Sequence, residues 1–257
     1  MSIEACAQMV EQGDPDRFLS AMTGTPHQRA LLFPLYAFNL EIARAPFASR
    51  EPMVARMRLQ FWADTLEEIA AGKVAHDHQV AGPLAGVIHQ ARLAGEPFQR
   101  MIDARIGDVE GAARQTADQL FGYCTEVSGN LMVLAGAALG ADKDQRPGLY
   151  ALGSAAGVAN WLLALPRLES AGRGFIAPTP QVIGDLASRA RKAQNTAIKS
   201  KSLKTKALYP ALRAAWRCGP VLRAAQKTPQ KALTGGLETS EFSRRATLLL
   251  RSAAGRW

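Results

Sequence analysis

Acidic residues are absent from a long stretch near the end of this chain: no Asp or Glu stands between Asp185 and Glu238. Residues 188–257 hold 16 Lys and Arg against Glu238 and Glu241 alone, so this part carries +14 and the remaining 187 residues carry −5, within a total of +9. A basic helical part from about 188 can approach anionic lipid, an acidic partner or nucleic acid, or can be a solvated helical face. Cysteine is scarce as well. Cys6, Cys124 and Cys218 are far apart and form no CxxC pair, which excludes a disulfide framework and a zinc ribbon. No apolar run reaches the roughly 18–20 residues that span a bilayer, and LMVLAGAALG reads better as a core helix segment. The N-terminal MSIEACAQMVEQGDPDR has no basic patch before an apolar stretch and no early arginine. Neither a secretory signal nor a transit peptide is expected, and the expected location is cytoplasmic. Val, Ile, Thr and Tyr are sparse beside Ala and Leu, and no stretch alternates with a strand period. The expected fold class is all-α.

What is present is helical periodicity. Helices are expected over 26–44, with Pro34 kinking the helix or resetting its start, and over 51–71, with Met53, Met57, Phe61 and Leu66 on one stripe. Shorter helices are expected over 83–94 and 97–107. A long apolar one covers 115–139, where Gly122, Ser128 and Gly129 would admit a close neighbour. Another spans 147–165 and stops at Pro166, followed by the loop SAGRGFIAPTP. Helices over 180–198, 206–224 and 237–253 follow, the last two separated by KTPQKALTGG. The expectation is a single domain over 1–257 of roughly ten helices.

Few residues suggest chemistry by spacing alone. Asp64 and Glu68 share a helix face at i, i+4, as a metal site or a surface acid pair would. Asp103 and Asp108 are too poorly placed to share one ion. His76 and His78 have no third ligand beside them to complete a zinc site. No P-loop, GxSxG or GxGxxG pattern occurs with the flanks it needs.

Four stretches, in order, resemble the squalene/phytoene synthase family of head-to-head isoprenoid synthases: RALLFPLYAFNLEIA (29–43), LQFWADTLEEI (59–69), YCTEVSGNL (123–131) and LGSAAGVANWLLALPRLESAGRGFIAP (152–178). The resemblance implies a helical bundle around a central apolar cavity, with two aspartate-rich motifs facing each other at its mouth. There Mg²⁺ held by carboxylates would neutralise a departing diphosphate. This chain departs from that pattern. Ala43, Arg44 and Phe47 stand at the first motif's aspartates, and Leu163, Ala164, Arg167 and Leu168 replace the second motif, of which Asn160 alone remains. Glu41 lies two residues before the lost pair and points elsewhere on the helix.

The resemblance therefore implies no catalytic residue, no metal ligand and no resident cofactor, with Mg²⁺ expected only if an altered site still makes a C30 or C40 hydrocarbon. Tyr36, Phe38, Glu41, Arg44, Phe61, Trp62, Tyr123, Asn160 and Arg167 are the candidate cavity residues. As a set the aromatics can line an apolar pocket, while any one of them can be ordinary core. Arg44 and Arg167 can bind phosphate directly, or can pair with Glu41 or Glu169 and close the mouth. The chain resembles the branch with degraded acidic motifs that includes an assembly factor for mitochondrial respiratory complex I. That branch implies a lipid, an isoprenoid or a respiratory subunit as client, and a place on the inner face of the membrane, where anionic headgroups would attract the basic part. Nucleic acid is not expected: the run KSKSLKTK stands alone, without a reading module.

Overall fold

The computed structural model describes residues 2–49, 51–73, 78–111, 114–170 and 177–257, and among them all regular structure is helical. In chain order the helices are α1 (Ile3–Gly13), α2 (Pro15–Met22), α3 (Pro26–Arg44), α4 (Pro52–Ala70), α5 (Ala81–Ala91), α6 (Glu96–Val109) and α7 (Ala117–Cys124). They continue with α8 (Asn130–Ala138), α9 (Arg146–Ser170), α10 (Pro180–Lys199), α11 (Tyr209–Leu212), α12 (Cys218–Lys227), α13 (Gln230–Leu233) and α14 (Glu241–Ala253). Local chemistry sets many of the starts. Thr25 with Gln28 and Thr116 with Gln119 form capping boxes for α3 and α7, and Asp14, Thr179 and Ser240 cap α2, α10 and α14. Proline occupies the first helical position of α2, α3, α4 and α10, where its missing N–H costs nothing.

The departures from the sequence reading have physical causes. α3 runs unbroken through Pro34, and α9 continues through Pro166 to Ser170. Each proline removes one hydrogen bond, but every residue from Leu31 to Leu40 is buried, as are Leu162 and Leu165, and packing outweighs the local penalty. α4 buries Ala55, Leu59, Trp62, Ala63, Thr65 and Ile69, and the expected stripe is wrong at its start, because Met53 and Met57 are 67% and 65% exposed. The segment 206–224 is not one helix. Short 3₁₀ turns flank α11 before α12 begins, with Pro210 and Pro220 each in the first turn of a new helix. The separator KTPQKALTGG contains α13, and α14 starts at Glu241 rather than at 237. The segment 115–139 is two helices joined by a π turn, Thr125–Gly129. The residues 171–176 of the expected loop lie outside the described residues.

Two apolar cores meet at α8. One gathers α1 and α3 to α6, with Phe38 edge-on to both Trp62 and Phe98 at ring separations of 5.2 and 5.4 Å. The other gathers α7, α9, α10 and α12. Leu131, Leu134, Ala135 and Ala138 of α8 serve the first, Met132 and Val133 the second. α9 is the axial helix of the second core, packed against α10, α8, α7, α12 and the π turn. With its preceding turn (Lys143–Ser170) it is long and apolar enough on average to cross a membrane, although Tyr150, Ser154 and Asn160 interrupt any continuous apolar run. In its most apolar window 61% is buried inside the bundle.

Candidate functional site

The two motif-bearing stretches lie at the end of α3 and along the second half of α9. Ala43 is half-buried, Arg44 is exposed, and Phe47, in the 3₁₀ turn after α3, is 45% exposed. On α9, Leu163, Ala164 and Leu168 are half-buried while Asn160 and Arg167 are exposed. Neither Arg44 nor Arg167 forms an ion pair among the described residues. Arg44 instead lays its guanidinium over Gly13, so closely that a Cβ there would meet Nη2 at 2.5 Å. That position is the last turn of α1, which has no basic residue of its own and where a cation is favoured. Glu41 is half-buried one turn earlier.

Mg²⁺ takes hard oxygen donors in octahedral array. Neither stretch supplies them: residues 153–168 contain no acid, and the first motif's positions hold Ala, Arg and Phe. No group of three or more His, Cys, Asp or Glu able to hold a metal occurs among the described residues. Asp64 accepts from Gln60 and Asp103 from Gln99, both on exposed helix faces. His78 accepts the Val80 amide at Nδ1 and packs edge-on against Trp62, with centroids 5.1 Å apart; His76 lies outside the described residues.

Of the candidate residues, Tyr36 reaches a hollow where the two cores meet. Arg17, Ser128, Leu131, Met132, Ala135, Gly153, Ala156 and Ala214 complete its wall, and its volume of about 10 Å³ is the size of one water. The Tyr36 hydroxyl has no hydrogen-bond partner among the described residues, and burial pushes its pKa well up against the opposing pull of Arg17. Arg17 itself is held by Asp14 and stands 5.9 Å from the Tyr36 ring centre. Phe38 and Trp62 belong to the first core and Phe61 packs against it.

Tyr123 sits elsewhere, in a polar cluster between α6 and α7. Its hydroxyl donates to Asp108 at 2.7 Å and accepts from Arg105, while Arg114 reaches Asp108 at 2.7 Å and stacks 3.9 Å over the tyrosine ring. Burial drives the Tyr123 pKa up, and the neighbouring Arg105 resists the rise. Sequence reasoning did not single out Arg105, Arg114 or Arg17. The i, i+3 spacing of Arg105 and Asp108, and of Asp14 and Arg17, is the signal that reveals two of them.

The π turn is the third feature of the site. It falls on YCTEVSGNL, and Gly153 and Gly157 bring α9 against it: a Cβ on Gly153 would lie 2.6 Å from the Ser128 carbonyl oxygen. Gly129 is less tightly approached from the other side, where a Cβ would meet the Ser154 and Tyr150 side chains at 3.2 Å, whereas Gly122 meets nothing within 4 Å and plays no such part.

A model of squalene/phytoene synthase matches residues 10–179. The chain belongs to the squalene/phytoene synthase family. Among curated relatives it is 27% identical over 173 residues to NADH dehydrogenase (ubiquinone) complex I, assembly factor 6 of Bos taurus, covering 66% of this chain and 51% of that one. It is 26% identical over 139 residues to the 15-cis-phytoene synthase of a Synechocystis strain, covering 54% and 41%. The chain thus spans about half the length of the complex I assembly factors it matches. Among solved structures, a dehydrosqualene synthase bound to a ligand superposes with a TM-score of 0.76 at 16% identity, over 98% of this chain and 95% of the other. A squalene synthase of Alicyclobacillus acidocaldarius superposes with a TM-score of 0.60 at 18% identity, over 98% and 94%. At these identities the superpositions establish the isoprenoid-synthase fold.

Proposed function

We propose that this squalene/phytoene synthase-family chain is not a metal-dependent prenyltransferase but a binding protein that assists assembly of the respiratory NADH:quinone oxidoreductase. One observation carries the reading: the two stretches that match the family's acidic motifs hold Ala43, Arg44, Phe47, Leu163, Ala164, Arg167 and Leu168 instead of carboxylates. Losing one charge partner from a buried cluster costs about 3–5 kcal/mol, and each ~1.4 kcal/mol is tenfold in rate, so losing the whole set removes metal-assisted departure of diphosphate. The relatives named as assembly factors of complex I support the direction in which the fold has been reused. The client in this reading is a lipid, an isoprenoid or a subunit under assembly, met by the exposed Arg44, Asn160 and Arg167. The place of work is the cytoplasmic face of the respiratory membrane.

Deleting the gene and resolving respiratory complexes on a native gel tests the role: a loss of assembled NADH:quinone oxidoreductase is expected, and normal assembly overturns it. A second measurement addresses the chemistry. Purified protein with Mg²⁺ and farnesyl or geranylgeranyl diphosphate is expected to release no pyrophosphate. Release of pyrophosphate with a squalene- or phytoene-type product would establish the prenyltransferase instead.

A further inference from the structure

α14 is amphipathic, yet it is mounted with its apolar side outward. Phe242, Leu249 and Leu250 are 84%, 68% and 71% exposed, and Leu248 is its single buried residue. At 100° per residue, Phe242, Ala246, Leu249 and Ala253 lie within a narrow stripe with Leu250 beside it, while Arg244 and Arg251 occupy the opposite side. The polar side is what fastens the helix to the body. Arg244 pairs with Asp16 of α2, itself also held by Arg217 at 2.6 Å. Arg251 is half-buried near Arg223 and Cys218, with its pKa lowered by that burial first and by Arg223 second. Just beyond the helix, the buried Arg213 donates to the Arg256 carbonyl oxygen at 2.9 Å and to Thr23 at 3.0 Å. The orientation is thus set by the half-buried Arg244 and Arg251 and by the buried Arg213, and the leucines and phenylalanine are left facing outward.

We infer that the outward face of α14 is a docking surface for an anionic lipid bilayer, into whose interface Phe242, Leu249 and Leu250 insert. Charge selects this occupant. The part of the chain from 188 onward is +14, both of its acids are already paired, Glu238 with Arg217 and Glu241 with Arg245, and Lys199, Lys201, Lys204 and Lys206 are exposed. Such a field draws the chain toward anionic headgroups before the apolar face engages. Area argues against a second copy as the occupant: three large side chains offer roughly 400 Å², about half of what each partner buries in a standard interface. A short apolar face on a strongly basic part of the chain supplies the two signals of reversible interfacial binding. The inference takes only its setting from the membrane-side role proposed above, because vesicle binding and complex assembly are read separately.

The test is sedimentation of the purified full chain with vesicles of phosphatidylcholine alone or with one-third phosphatidylglycerol, across salt concentrations. Wild type is expected to bind the anionic vesicles, at least tenfold better than the neutral ones, and to be released by high salt. F242S/L249S/L250S is expected to lose at least tenfold in binding with its thermal midpoint unchanged or raised, since these side chains are not in the core. Equal binding by wild type and the triple variant, or no binding of wild type to anionic vesicles, overturns the inference. So does a wild-type dimer in light scattering that the triple variant abolishes, which would assign the face to a second copy. Normal respiratory assembly in the deletion strain alongside salt-sensitive vesicle binding would remove the assembly role and leave this inference standing.

Discussion

Ser128 and Gly157 meet so closely that a Cβ on the glycine would lie 2.6 Å from the serine Cβ and 2.8 Å from its hydroxyl. Ser128 belongs to the π turn and Gly157 to α9, and the contact is what lets the axial helix run beside the irregular turn. A π turn inserts an extra residue into a helix and is kept where neighbours fix it. Here the fixing is steric on one flank and polar on the other, where the Thr125 and Ser154 hydroxyls are 2.9 Å apart and Ser154 donates to the Tyr150 carbonyl oxygen at 2.7 Å.

Gly153→Ala is expected to destabilise the protein by about 1–3 kcal/mol, because the added methyl would meet backbone, the Ser128 carbonyl oxygen and the Gly129 Cα at 2.6 and 2.9 Å, rather than a side chain that can swing away. Gly122→Ala is the matched control. It lies exposed inside α7 with nothing within 4 Å, so it is expected to be neutral or stabilising by up to about 1 kcal/mol. Chemical denaturation of the two variants compares them directly, and equal effects would refute the close-approach argument.

Asp16 accepts from both Arg217 and Arg244, with the three side chains 19%, 11% and 23% exposed. Asp16→Ala would leave two arginines without their shared acid, and an expected loss of about 2–3 kcal/mol follows, below the cost for a fully buried pair because Arg217 keeps Glu238 and some screening remains. The same change loosens α14, so limited proteolysis is expected to cut near residues 234–241 faster than in the wild type. Unchanged proteolysis would show that the helix is held by other contacts.

Much of the bundle was legible because burial and period agree. α3, α10 and the helices around α6 stand within a few residues of where periodicity puts them, and the ordered stretches LYAFN, LQFWAD and YCTEVSGN identify the family that the 10–179 match establishes. What was illegible depended on the third dimension. Nothing local says that burial carries α9 past Pro166, or that Trp62 rather than Met53 and Met57 turns inward on α4. The candidate residues, which can line a pocket together or be ordinary core singly, lie in several places: Tyr36 at the hollow, Phe38 and Trp62 in the first core, Tyr123 in the Asp108 cluster, and Asn160 and Arg167 on the surface. Which way a motif residue faces depends on the neighbouring helices, and spacing along one helix does not contain that information.

Tyr123→Phe removes the donor to Asp108 but keeps the ring beneath Arg114. Asp108 retains Arg105 and Arg114, so its charge stays paired and the expected cost is about 1.5–3 kcal/mol, the worth of one hydrogen bond to a charged group. Asp108→Ala is expected to cost more than Tyr123→Phe, since it strands two arginines whose side chains are 14% and 20% exposed. Thermal denaturation of the single and double variants would test the order, and a Tyr123→Phe loss equal to that of Asp108→Ala would sink it.

The three thiols give the pH dependence a definite sign. Burial raises Cys6 from 9.0 to about 11 and Cys124 and Cys218 from 9.0 to about 12. A raised thiol pKa means the native state holds its proton more tightly than the unfolded chain. The stabilisation is therefore complete below about pH 9 and is lost as pH climbs from there through 11 to 12. Denaturation midpoints are expected to be flat with respect to these groups between pH 7 and 8.5 and to fall steadily above 9, with the slope reduced in Cys218→Ala relative to wild type. A thiol reagent at pH 8 should label none of the three at an appreciable rate until the chain is unfolded, because all are buried and protonated. Rapid labelling of Cys124 in the native protein would show that the packing of α7 against α9 opens far more readily than the close contacts around Gly157 allow.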